Sequence, residues 1–295
     1  MRNLLASFLE QIQSVRRFSD NTVRSYKNDL ERFLSFCEEN EIKPVNISKR
    51  TIMRYLDYLD RNKISKKSVN RHLSSLRAFF SFLVREETLE INPLTGIRNP
   101  KTEKRLPEII NTDQYDSILQ SIDNLGSTRE KVKLQYKVMF ELLYGCSLRA
   151  SEANFVRISD VDWFNSTVRI LGKGNKLRIA PIGKKSITIF RQYLAEEPST
   201  ELHSGNYLIT KSEKRLSPKT FYNIIHKFLS LTTEIKKKSP HILRHSSATH
   251  MLDKGADLMA IKEILGHTDL STTQIYTRVS IERLKTIYKK THPKS

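Results

Sequence analysis

Cysteine is nearly absent: Cys37 and Cys146 are the only two among 295 residues. Two thiols cannot build a zinc site by themselves, and no CxxC spacing occurs, so a disulfide framework and a cysteine metal centre are both excluded. This usage fits a reducing compartment, and a cytoplasmic location is expected. Cys146 lies in an apolar stretch and reads as a buried thiol. Apolar runs of about 18 residues are missing, so no membrane span is expected. The opening stretch MRNLLASFLEQIQ is broken by polar residues, which argues against a secretory leader. Repeats and low-complexity tracts are missing too. Acidic residues are few beside basic ones, 32 against 51, for a net charge of +19. A field of that size attracts polyanions, nucleic acid first among them. Up to Pro100 the chain has 18 basic and 12 acidic residues, and after it 33 and 20. Both halves are therefore expected to touch the same polyanion.

What is present suffices for folded cores, with 38% hydrophobic and 8% aromatic residues and a length suited to two domains. The first hundred residues read as four helices. Residues 3–15 place Leu4, Leu5, Phe8, Leu9 and Ile12 on one face. Ser19, Ser48 and Ser65 are placed as N-caps of the next three. The Asn-Pro pairs at 92–93 and 99–100 break regular structure. The boundaries expected are 1–98 for a first domain, 99–110 for a linker and 111–295 for a second domain. In the second, helices resume at Asp113 and at Lys133. Val168 and Ile170 then alternate with polar residues, Gly172 to Asn175 turns the chain, and Ile179 and Ile182 lie on the return strand. From Ser186 onward the pattern reads as helical. The fold class expected is mainly α, with a small antiparallel sheet in the second domain.

Several charged residues sit where apolar or turn chemistry surrounds them. Arg149 follows a hydrophobic helix, in Leu148-Arg149-Ala150-Ser151-Glu152. Alone it is an ordinary helix-end arginine. Ser239-Pro240 predicts a helix start, and His241 and Arg244 then share a face at a helix N-terminus, where an anion is well received. No carboxylate or cysteine stands at ligand spacing from them, which argues against a metal pair. Leu258, Ile261, Ile264 and Leu265 form an apolar face ended by Gly266 as a C-cap, just before His267. Ser271 with Gln274 predicts another helix start, and Tyr276 lies on that helix. Taken singly, Tyr276 is a half-buried helix tyrosine.

Together, Arg149, Lys173, His241, Arg244, His267 and Tyr276 resemble, in this order, the catalytic set of the tyrosine recombinase (phage integrase) family. The strings around them match as well: Leu-Arg-Ala-Ser-Glu, Gly-Lys-Gly-Asn-Lys, Pro-His-Ile-Leu-Arg-His-Ser, Leu-Gly-His and Ser-Thr-Thr-Gln-Ile-Tyr-Thr. The likeness is strongest to the Xer recombinases and runs from Thr22 to Lys294. Three positions depart from the family pattern. Ser147 stands where glycine is common, Ser247 where phenylalanine is frequent, and Arg278 where histidine is frequent.

The resemblance implies a four-helix, SAM-like core-binding domain and a catalytic domain that close on DNA as a C-shaped clamp. It implies metal-independent transesterification with no cofactor. Arg149 and Arg244 would hold the phosphate, His267 would donate to it, and Tyr276 would form a 3′-phosphotyrosine link. His241 would accept the tyrosine proton, and Lys173 would protonate the 5′ leaving oxygen, with Lys176 as the competing lysine. Glu152 would brace the site. Lys66, Lys67, Asn70, Arg71, Arg24 and Lys219 are the candidate DNA contacts. The partner implied is double-stranded DNA with inverted half-sites. Four protomers would assemble on two sites, as one protein or with a related recombinase, and activation by a DNA-translocating motor is left open. The apolar stripe Ile281, Leu284, Ile287 and Tyr288 is expected to dock on a neighbouring protomer. The role implied is resolution of circular DNA dimers, with integration of a mobile element as the alternative. A type IB topoisomerase and a catalytically dead DNA binder fit less well.

Overall fold

A computed structural model describes residues 1–14, 18, 20–43, 46–101, 108–172, 177–196, 207–211, 214–266 and 287–293. The chain divides into two compact units, Met1–Arg105 and Leu106–Ser295. The first consists of α1 (Arg2–Ser14), α2 (Asp20–Glu39), α3 (Lys49–Arg61) and α4 (Lys66–Arg85). Ser48 and Ser65 occupy the N-caps of α3 and α4. The Ser65 hydroxyl accepts the Ser68 N–H at 3.3 Å. The proposed cap Ser19 lies outside the described residues. Large side chains at helical spacing meet in one core, where Phe33 and Tyr55 pack edge to face with centroids 5.0 Å apart. Each such ring removed from water contributes about 1.5–3 kcal/mol.

The second unit opens with α5 (Thr112–Asp123), capped by Asn111, and α6 (Glu130–Phe140). A π turn, Glu141–Gly145, follows directly on α6. Its register is visible in the Cys146 N–H, which donates to the Glu141 carbonyl at 2.8 Å. The helical pattern running to Tyr144 concealed this widened turn, because one residue is inserted without any change of polarity. Short α7 (Ala150–Ala153) comes next, then β1 (Val161–Asp162), β2 (Thr167–Leu171) and β3 (Leu177–Pro181). They form an antiparallel sheet in that order, with Val168 opposite both Val161 and Ala180. Strand β1 is too short to show an alternation.

Four helices and a small hairpin follow. They are α8 (Lys184–Ala195), α9 (Pro218–Thr232), α10 (Pro240–Asp253) and α11 (Leu258–Leu265). The hairpin of β4 (Thr210–Lys211) and β5 (Lys214–Arg215) interrupts what read as continuous helix after Ser186. Two-residue strands carry no period. Residues 287–291 are again helical. Cys146 is buried. Leu258 is 53% exposed, so the buried face of α11 is Ala260, Ile261 and Ile264 rather than one including Leu258. Among the described residues, no helix is long and apolar enough to cross a membrane.

Candidate active site

The site is assembled at the C-terminus of α11. Any α-helix ends with carbonyls that have no partner inside the helix. Here Gly266 takes the left-handed conformation, φ +63°, and closes α11. Three arginines from three other segments donate to the last carbonyls. Arg178 Nη1 donates to Ile264 O at 2.8 Å, Arg244 Nη2 to Leu265 O, and Arg149 Nη2 to Gly266 O at 3.2 Å. Cations at this end also meet the negative pole of the helix dipole. Gly266 is required twice over, because its φ is positive and an added Cβ would lie 2.5 Å from Arg178 Cδ and Nε.

One carboxylate gathers the same three guanidinium groups from the other side. Glu152 Oε1 accepts from Arg149 Nη1 at 2.7 Å, and Oε2 accepts from Arg178 Nη2 at 2.7 Å and Arg244 Nη1 at 3.4 Å. Glu152 Oε2 also accepts the Arg149 backbone N–H at 2.7 Å, which caps α7. Arg149 is thus placed from within its own helix start. Arg244 is fixed further by Ser147 O, at 2.7 Å from its Nη1. Three cations against one anion leave a local positive excess, and such a fixed excess is a seat for an anion. Arg149, with 32% of its side chain exposed, opens the cluster to solvent, while Arg178 and Arg244 lie behind it. Burial first, then Arg149 and Arg178, push the Arg244 guanidinium down to about 9, against the pull of Glu152. It remains a cation at neutral pH.

His241 follows Pro240 at the start of α10, with Ser239 as N-cap. Its ring reaches solvent. Partial burial, then the cations of Arg244, Lys237 and Arg149, lower its pKa below the ordinary imidazole value. Such an imidazole is neutral at pH 7 and able to take a proton.

The structure therefore brings Arg149, Glu152, Arg244 and His241 to one place. Lys173, Lys176, His267 and Tyr276 lie outside the described residues. So does Ser271, while β2 and β3 lead to and from Lys173 and α11 leads directly into His267. Arg178 is the member that the sequence reading missed. The signal was there, since Arg178 and Ala180 share the inward parity of β3, and an arginine in such a row needs a partner; Ile179 is only half-buried on the opposite parity, and Ile182 lies just past the end of the strand.

Of the candidate DNA contacts, Lys66, Lys67, Arg71, Arg24 and Lys219 are exposed. Arg24 also donates to Asn21 Oδ1 at 2.7 Å. Asn70 is half-buried and its amide donates to Pro100 O at 3.1 Å, so it holds its own chain rather than standing free for a base.

Of the expected stripe, Ile281 and Leu284 lie outside the described residues, and residues 287–293 pack on their own unit. Tyr288 is buried and its hydroxyl donates to Gly145 O of the π turn. His292 stacks on Tyr288 with centroids 4.5 Å apart. His292 Nε2 lies 3.0 Å from Tyr144 O and 2.9 Å from Ser247 Oγ, and Ser247 Oγ lies 2.6 Å from Ser147 Oγ. The two serines that depart from the family pattern are thus hydrogen-bonded to each other.

Comparison with known proteins gives one family. The phage integrase family matches residues 108–283, and the phage integrase N-terminal SAM-like domain matches residues 5–87. The chain is 35% identical to tyrosine recombinase XerC of Syntrophus aciditrophicus, over 100% of this chain and 99% of that protein. It is 36% identical to tyrosine recombinase XerD of Oceanobacillus iheyensis, over 99% and 98%. Its fold is similar to that of the XerH site-specific recombinase bound to palindromic difH substrate in a post-cleavage complex. That similarity has a TM-score of 0.72 at 22% identity, covering 96% of this chain and 83% of that one.

Proposed function

We propose a division of labour for this chain, which belongs to the phage integrase family and, as a tyrosine recombinase of the Xer kind, cuts and rejoins DNA at specific sites. The observation that carries it is the cluster of Arg149, Arg178 and Arg244 around Glu152 at the end of α11. A phosphodiester nearing its transition state gathers negative charge, and fixed donors stabilise that charge without reorganising. Arg149 and Arg244 hold the phosphate oxygens. His267, directly after the arginine-capped Gly266, donates another hydrogen bond.

Tyr276 attacks the phosphorus and its phenolic proton passes to His241. The bond to the 5′ oxygen breaks, and Lys173 protonates that oxygen as it leaves. The product is a 3′-phosphotyrosine and a free 5′ hydroxyl, and reversal on a new 5′ hydroxyl rejoins the strand. Tyr276→Phe should bind DNA and form no denaturant-resistant adduct, and an adduct with this variant would overturn the assignment. Lys173→Ala should be rescued by a substrate with sulfur at the bridging 5′ position, whose leaving group needs little protonation. Absence of selective rescue would move the role to Lys176.

Lys66, Lys67 and Arg71 at the start of α4 meet the duplex. Four protomers act on two sites of inverted half-sites, in the cytoplasm, resolving circular DNA dimers. A DNA-translocating motor is a candidate activator. The pocket filled by Tyr288 and His292 accepts the tail of a neighbouring protomer in that assembly.

A further inference from the structure

We infer that Arg71 reads a guanine in each half-site and that the buried carboxylate of Asp29 is what aims it. The inference rests on α4 meeting the duplex, as proposed above, and it concerns what kind of contact Arg71 makes there.

Asp29, on α2, has 2% of its side chain exposed. A carboxylate in that position needs partners, and it has three kinds. Arg71 Nη2 reaches Oδ1 at 2.9 Å, with 47% of the Arg71 side chain still exposed. His72 Nε2 lies 3.3 Å from the same oxygen. The Ser75 hydroxyl donates to Oδ2 at 3.4 Å. Behind His72 the row continues, with the buried Tyr55 hydroxyl 3.1 Å from Nδ1. Burial, then Arg71 and Arg32, push His72 down to about 4, so its ring is neutral at pH 7. A neutral ring that donates from Nε2 to Asp29 accepts at Nδ1 from Tyr55. Arg71 is then the cation that contacts the carboxylate directly among these partners.

Two consequences follow for an arginine in this position. Its charge is largely cancelled by Asp29, so it adds little to the attraction between α4 and a phosphate backbone. Its fork is held at one end, so the remaining N–H donors keep a fixed direction. A phosphate contact needs charge and tolerates a flexible arm, which describes the exposed Lys66 and Lys67 one turn earlier. Two parallel bonds to guanine O6 and N7 need direction and little net charge. Asp29 is a positioning residue in this arrangement, and Arg71 is the specificity determinant.

The test is selection from random duplexes with the full-length protein, followed by binding of the selected duplex over a range of salt. Arg71→Ala should lose its preference for guanine at one position of each half-site, a discrimination of about 5- to 150-fold. Its salt dependence should stay close to wild type. Lys66→Ala should keep the selected sequence and flatten the log–log salt slope by about 0.9, the effect of one lost phosphate contact. Asp29→Asn should lose the same guanine preference and steepen the slope, because the freed cation finds a phosphate. Arg71→Lys keeps an ion pair but not the fork, and should also lose the guanine, which decides the matter if Asp29→Asn fails to fold.

Selection of an unchanged sequence by Arg71→Ala would overturn the inference. So would an even loss over all duplexes with a slope flatter by about one. A folded Asp29→Asn that kept the guanine would overturn the positioning role. If the wild-type protein selects no sequence, the DNA-site reading itself fails. If the wild type selects one and Arg71→Ala selects the same, only this inference fails.

Discussion

Glu152 is a single carboxylate with three guanidinium groups on it, and it is buried. Removing one member of a buried ion pair typically costs about 3–5 kcal/mol, because the remaining charge loses its partner. Glu152→Gln is expected to lower stability by that order and to abolish cleavage, with thermal unfolding and adduct formation as the two measurements. Arg178→Met is the more informative change. Arg178 stands behind Arg149 and Arg244, so its loss should leave DNA binding near wild type while cleavage falls by at least tenfold, measured in single-turnover assays. Normal cleavage by a folded Arg178→Met would show that Arg149 and Arg244 are held well enough without it. His241 adds a pH dependence. Its folded pKa lies below the ordinary value, so the neutral form survives to lower pH than in a free imidazole. Proton acceptance is available above that pKa and lost as pH falls through it. Cleavage should therefore be flat near pH 7–8 and fall on the acid side of the imidazole range, with His241→Gln slow and lacking that limb.

The π turn and the left-handed residue after it bring Arg149 and its neighbours into place. Ser147 has φ +55° and is buried, a conformation that costs a non-glycine residue about 1 kcal/mol. Its hydroxyl bond to Ser247 offsets a similar amount. Ser147→Gly alone should therefore change stability little. In a Ser247→Ala background, where the Ser147 hydroxyl has lost that partner, the same change should stabilise by about 1 kcal/mol. Equal effects in the two backgrounds, measured by denaturant unfolding, would show that the serines are not coupled. Much at this scale was legible in advance. The caps Ser48, Ser65 and Ser239, the glycine stop at 266 and the β2–β3 hairpin each have a local chemical signal, and each is found. The π turn, β1 and the β4–β5 hairpin were not legible, because an inserted residue or a two-residue strand leaves no periodicity. The roles proposed for Arg149 and Arg244 come only from the family likeness. Arg149 meets Glu152 three residues on, but the contact of Arg244 with Glu152 spans 92 residues in sequence, which no local pattern encodes. Arg178 was hidden for a different reason, since the return strand was placed by Ile179 and Ile182, while the inward parity is that of Arg178 and Ala180.

At the scale of the whole molecule, the described part of the tail packs against the elements that hold Arg244. Tyr288 and His292 fill a buried site against the π turn, and Ser247 links His292 to Ser147, whose carbonyl holds Arg244. Deleting residues 281–295 should therefore reduce both stability and cleavage. If the pocket takes a tail from any source, a peptide of residues 281–295 added to the truncated protein should restore part of the cleavage. Failure of saturating peptide to bind, followed by calorimetry, would count against exchange of tails between protomers. The hub at α11 has a further consequence, for how such a sequence can change over time. Three arginines from distant segments share one carboxylate and one helix end, so losing any of them is expected to remove most of the cleavage they support together. The second loss is then nearly without effect. A lineage that loses one member has little left to select for in the others, and restoring function needs the original residue back rather than a substitute elsewhere. Such a site is inherited whole or decays whole.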